Sequence, residues 1–210
     1  MNDNGSRQLR SFVRVFDSLQ VVRDVTTSFD DQWRPTDAFV RLTCAEDHVG
    51  SGWYLFEAHQ ARFRGWTKSA GYQSIDLPTD GPAAGFNAHS VAGEAALLAV
   101  YDHSSGVQIQ HPDGCFVSTE HPRGASGPSL FKAHFGIRFV GEEQLTVGAG
   151  TFTALHYQYV DTELVELPPD TPAFDMWVTA DGELTYLKGD LKGNTTSQYE
   201  LMSLQETTLP

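Results

Sequence analysis

The chain has little with which to meet a phosphate backbone or an anionic lipid surface: 14 Lys and Arg stand against 27 Asp and Glu, a formal charge of −13 at pH 7. A surface of that sign repels both, so neither nucleic acid nor a membrane is an expected partner. Cysteine is scarce as well, at two residues. Cys44 and Cys115 fit no metal or redox spacing and lie in strand-like runs, where small buried thiols are common. No stretch approaches the ~20 apolar residues of a membrane span. The amino-terminal MNDNGSRQLRSFVRVF alternates instead of forming an apolar leader, so the expected compartment is the cytoplasm. HxH, HExxH and CxxC patterns are missing, which leaves no metal site to expect within a short stretch. A P-loop, a dinucleotide fingerprint and a nucleophile elbow are also missing, and no cofactor is expected.

What is present is alternation. Hydrophobic residues at 40% and aromatics at 11% supply a packed interior. About a dozen runs of period two, among them QVVRDVTTSF, DAFVRLTCAE and TFTALHYQYV, are broken by Gly, Pro, Asp and Asn clusters. TADGEL places Asp181 and Gly182 between two such runs, a hairpin signal. Strands this close cannot form a parallel sheet, which needs long crossovers. The expected fold is all-β: an antiparallel, meandering barrel or half-barrel with one buried helix over about 90–102. The whole chain, 1–210, is expected to be one domain, with frayed ends at about 1–8 and 205–210.

The helix is read from GFNAHSVAGEAALLAVYDHSSG, residues 85–106, where Ser90 precedes an apolar run and Glu94 lies near its positive end. His89 and His103 flank that run at a separation of roughly 20 Å, too far to share a proton or a metal. At the helix start the dipole favours a neutral imidazole at His89, which can accept a proton; His103 reads as a carboxyl-terminal cap.

Alternation in TFTALHYQYV puts His156 and Gln158 on one face and Tyr157 on the other, and in KAHFGIRFVG it sets His134 and Arg138 apart from Phe135, Ile137 and Phe139. The candidate bases are His89 and His156. Tyr72, Tyr157 or Arg138 would polarise a substrate oxygen. Trp53, Phe86, Trp177 and Tyr186 are the candidate ligand-binding aromatics of a pocket that the helix does not fill.

GEEQLTVGAGTFTALHYQYV, followed by FDMWVTADGELTYLKGD, resembles a set of uncharacterised bacterial β proteins through Ala149, Gly150, Thr151, Phe152 and Trp177. The resemblance implies a curved antiparallel sheet like that of open-barrel lipoprotein carriers, and it brings no catalytic residue. The expected function is cofactor-independent acid–base catalysis, of lyase or isomerase type, on a small apolar or aromatic molecule held inside the sheet. The alternatives are a non-catalytic binding protein for a small hydrophobic ligand, and an assembly role in which edge strands pair copies of the chain.

Overall fold

The computed structural model describes residues 5–16, 18–121, 124–162, 174–191 and 197–205. The chain divides into two compact units: Met1–Val100 with Pro112–His134, and Tyr101–His111 with Phe135–Pro210. Each is built on an open, six-stranded, half-barrel-type sheet. Among the described residues no helix is long and apolar enough to cross a membrane.

The first unit opens with an antiparallel meander of β1 (Arg7–Arg14), β2 (Val21–Phe29), β3 (Pro35–Cys44), β4 (Asp47–Glu57), β5 (Gln60–Thr67) and β6 (Gly71–Pro78), paired in chain order. β1 begins within the stretch expected to fray, because Arg7 pairs with Phe29 and its guanidinium donates to the carbonyls of Gly5 and Asp31. Ala45 and Glu46, both at positive φ, make the tight turn from β3 to β4. The period-two pattern determines the faces. In β2, Val21, Arg23, Val25, Thr27 and Phe29 point inward, and their neighbours point out.

The inner face is covered by β7 (Gly85–Asn87), α1 (Val91–Ala96) and the 3-10 turn Leu97–Val100. Then follow β8 (Ile109–Gln110), which belongs to the second unit, β9 (Cys115–Val117) and β10 (Phe131–Lys132). β7 and β9 pair in parallel, a departure from the antiparallel expectation made possible by the long crossover through α1. Tyr54, Phe56, Phe63, Phe86 and Phe116 pack together with Val25, Val40 and Leu130 into the core between the sheet and this layer. The Phe63 ring fills the space that a Cβ at Gly52 or Gly65 would need, so both glycines are there for close approach.

The helix is shorter than expected: α1 ends at Ala96 and tightens into the 3-10 turn, in place of a run over 90–102. Past Val100, local polar bonds hold the chain out of a helix. The Asp102 carboxylate accepts from the Ser104 amide and hydroxyl at 2.8 and 2.6 Å, and the Gln110 side chain accepts from the Asp102 amide and donates to its carbonyl, both at 2.8 Å. The amino-terminal end is as read, with Ser90 Oγ accepting from the Gly93 amide at 3.1 Å. Ser90→Ala removes that buried cap and is expected to cost about 1 kcal/mol in urea unfolding.

The second unit orders its sheet as β15-β14-β13-β12-β11-β8, with β11 (Phe135–Val147), β12 (Gly150–Thr162), β13 (Phe174–Thr179), β14 (Tyr186–Leu191) and β15 (Ser197–Glu200). The β11–β12 hairpin runs 13 residues on each side, irregular at Phe135/Ile137 and Phe139/Gly141. Asp181 and Gly182 do lie in the β13–β14 connection, where Asp181 Oδ1 accepts from Thr179 Oγ1 and the Glu183 amide at 2.6 and 2.9 Å. One face of this sheet buries Ile137, Tyr157, Met176 and Val178. The other carries Glu143, His156, Asp175, Trp177 and Lys188, beside an apolar strip of Leu145, Phe152, Ala154 and Leu187.

Candidate active site

Three imidazoles meet three different environments. His89 stands in the first unit at φ 55°, a left-handed backbone position that His tolerates better than most residues. Its amide donates to Asn87 Oδ1 and its carbonyl accepts from the Arg23 guanidinium, both at 2.7 Å, while its buried Nδ1 has no hydrogen-bond partner among the described residues. Burial, reinforced by the charge of Arg23 and by His121, pushes the ring down to about 3, so it is neutral at pH 7. Arg23 is 2% exposed and also donates to the Gly124 carbonyl. Burial lowers it to about 10, with Glu94, Tyr54 and Cys44 opposing. Burial raises Glu94 to about 7 against a hydrogen bond from Asn87 and the charge of Arg23, although the residue keeps some solvent contact. A crevice lined by Arg23, Ser118, Thr119, Ser126 and Pro128 adjoins this cluster and is too narrow to admit a water molecule.

His103 is not a helix cap. Its Nε2 bonds the Tyr157 hydroxyl at 2.8 Å, and the ring packs edge-on against Tyr101 and Phe139. Burial and the neighbouring Tyr101 push the Tyr157 phenol up to about 12, so it keeps its proton at neutral pH.

His156 holds the third environment, on the more open face of the second sheet. Its Nε2 meets Asp175 Oδ1 at 2.7 Å, and the same oxygen accepts from Gln158 Nε2 at 2.9 Å. Arg138 donates to Gln158 Oε1 at 3.2 Å. The imidazole stacks on Trp177 with centroids 4.1 Å apart, and the indole N–H donates to Glu143 Oε1 at 2.6 Å. That carboxylate oxygen lies 3.7 Å from His156 Nδ1. Strand register alone makes this assembly, because His156 pairs with Trp177, Gln158 with Asp175 and Gly141 with His156.

No family model, curated protein or solved structure matches the chain. The chemistry therefore rests on geometry.

The candidate residues separate. His156, Trp177 and Arg138 join one network; Tyr157 lies on the opposite face of the same sheet with His103. Tyr186, 9% exposed, is turned away from Lys188 by the irregularity at Trp177/Val178, and a Cβ on Gly189 would strike its hydroxyl end. Phe86 is 1% exposed in the core of the first unit, packed on Tyr54 and Phe56. Trp53 and Tyr72 stand on the outer face of the first sheet, 44% and 91% exposed, with the sheet between them and Phe86. Among the described residues no three His, Cys, Asp or Glu side chains gather as metal ligands.

Asp175, Glu143 and Gln158 complete the surroundings of His156, and Arg23 those of His89; the sequence does not mark any of the four as a site residue. Arg23 had a signal, since it shares its parity in β2 with Val21, Val25 and Phe29. Asp175 had none, because only the tertiary register brings β13 beside β12.

Proposed function

We propose that the chain is a cofactor-independent acid–base enzyme of the lyase or isomerase type, with His156 as its base and a small apolar or aromatic molecule as its substrate. The observation that carries this reading is the 2.7 Å bond from His156 Nε2 to Asp175, which leaves Nδ1 without a hydrogen bond among the described residues. With the proton held on Nε2 by the carboxylate, the lone pair sits on Nδ1. Once Nδ1 takes a proton, the ring lies between the side chains of Asp175, at 2.7 Å from Nε2, and Glu143, at 3.7 Å from Nδ1. It can return that proton to another carbon or to a leaving group. The apolar part of a substrate fits the strip of Leu145 and Phe152 beside Ala154, and a substrate oxygen fits the Gln158–Arg138 end.

A probe tests the base directly. 5-Nitrobenzisoxazole ring-opens to a coloured phenolate when a base removes its ring C–H proton. The protein is expected to accelerate this opening, and His156→Ala and Asp175→Asn each to lower the rate by about 100-fold or more. A parent rate equal to that of His156→Ala removes the assignment. The second reading, a non-catalytic binding protein for a hydrophobic ligand, draws on the Glu143 carboxylate that stands before Nδ1. It predicts quenching of Trp177 fluorescence by the probe without turnover.

A further inference from the structure

The outer face of the first sheet is built unlike a surface that meets only water. Alternation sends Phe12, Phe39, Trp53, Trp66 and Tyr72 outward, and Phe12, Phe39, Trp53 and Tyr72 are 71%, 45%, 44% and 91% exposed. Arginines from β1, β3 and β5 lie between these aromatics, and none of the six strands contains a lysine. Aromatic residues and arginine are enriched at protein interfaces, whereas lysine is depleted.

Charge and size point to one occupant. Residues 1–78 hold nine Lys and Arg against ten Asp and Glu, so only −1 of the −13 resides in this segment, and charge sets little repulsion between two copies of it. A basic groove for a polyanion is not present either, since Asp24 pairs with Arg10, and Asp76 with Arg62 and Arg64. Six strands of 8 to 11 residues, spaced about 4.8 Å apart at about 3.3 Å per residue, offer roughly 800 Å², about the share each partner contributes to a stable interface. β3 adds self-complementarity. It presents Asp37, Phe39 and Arg41 in turn, the aromatic central and the two charges equidistant from it. Among the described residues neither Asp37 nor Arg41 has an ion-pair partner.

We propose that this face binds a second copy of the chain, sheet against sheet. A two-fold axis passes at the level of Phe39, in the plane between the sheets and perpendicular to β3. That axis sets Phe39 and Trp53 against their own copies and places Arg41 of each copy opposite Asp37 of the other. The contact involves no edge strand, so it is distinct from pairing through β1 or β6.

Sedimentation equilibrium of the full chain up to about 100 µM tests it. The expected mass is twice 23.1 kDa. Arg41→Asp alone and Asp37→Arg alone each set like charges opposite one another at two related points and are expected to weaken association at least about tenfold. The double variant, carrying both changes, restores it, because each new charge again meets its opposite across the axis. Phe39→Asp abolishes the dimer, and unchanged far-UV circular dichroism shows that the variants are folded. A monomeric parent overturns the proposal. So does a dimer indifferent to Arg41→Asp, which would indicate edge pairing, or a double variant that stays weak.

Discussion

Phe86→Ala lowers the free energy of unfolding by about 3–5 kcal/mol, read by urea denaturation with tryptophan fluorescence. The ring is 1% exposed and packs against Tyr54 and Phe56 at centroid distances of 4.7 and 5.0 Å. Its removal takes away the transfer free energy of a large apolar group and leaves a cavity that the rigid strands on one side and β7 on the other cannot close. Phe86 stands in the sequence as a ligand-binding aromatic, and in that role its loss would cost binding and little stability. A change below about 1 kcal/mol would show that the site collapses or was never filled.

Acidification is the second large effect. His89 titrates at about 3 in the folded chain against an ordinary 6.5. Between those values the unfolded chain binds a proton that the folded chain refuses. The stability from His89 is therefore complete above pH 6.5 and is lost as pH falls toward 3, on the order of 4–5 kcal/mol in total. Glu94 runs the other way. Raised from 4.5 to about 7, it holds a proton in the folded chain that the unfolded chain releases, so stability falls as pH rises through that window, by on the order of 3 kcal/mol. The two slopes oppose between 4.5 and 6.5; below 4.5 Glu94 no longer offsets the His89 loss, and carboxyls held low by their hydrogen bonds, such as Asp30, add to it. Denaturation profiles from about pH 3.5 to 8 check this, with His89→Asn chosen because Asn tolerates a left-handed backbone. The variant is expected to have a shallower acid limb, with the carboxyls held low, such as Asp30, supplying what slope is left, and parallel profiles would refute the assignment.

Each of these expectations draws on a residue whose identity was legible and whose surroundings were not. The sequence predicts a neutral His89 from its place before the helix, but α1 is only Val91–Ala96, and burial, then the charge of Arg23, is what lowers the ring. The sequence offers His156 as a base and Arg138 as a group to polarise a substrate oxygen, with nothing to say how they meet. Their connection through Gln158 and Asp175 depends on β13, which returns from a distant part of the sequence. Tyr157 was separated from His156 by strand parity alone, and the two do occupy opposite faces. Tyr186 escapes parity because the irregularity at Trp177/Val178 reverses its side.

By itself the sequence determined the mostly antiparallel β architecture, the alternation that sorts each strand into two faces, and the capped start of the single helix. These are local consequences of side-chain period, turn chemistry and hydrogen bonding within a few residues. Tertiary structure decided which face of each sheet is covered, that Phe86 packs in a core while Trp53 and Tyr72 face out, and that His156 finds a carboxylate. Those outcomes follow from strand register and from the layer that β7, α1 and β9 lay on the first sheet. Both are settled by contacts between residues far apart in the chain, where the burial of one surface against another outweighs any preference that a single segment can express.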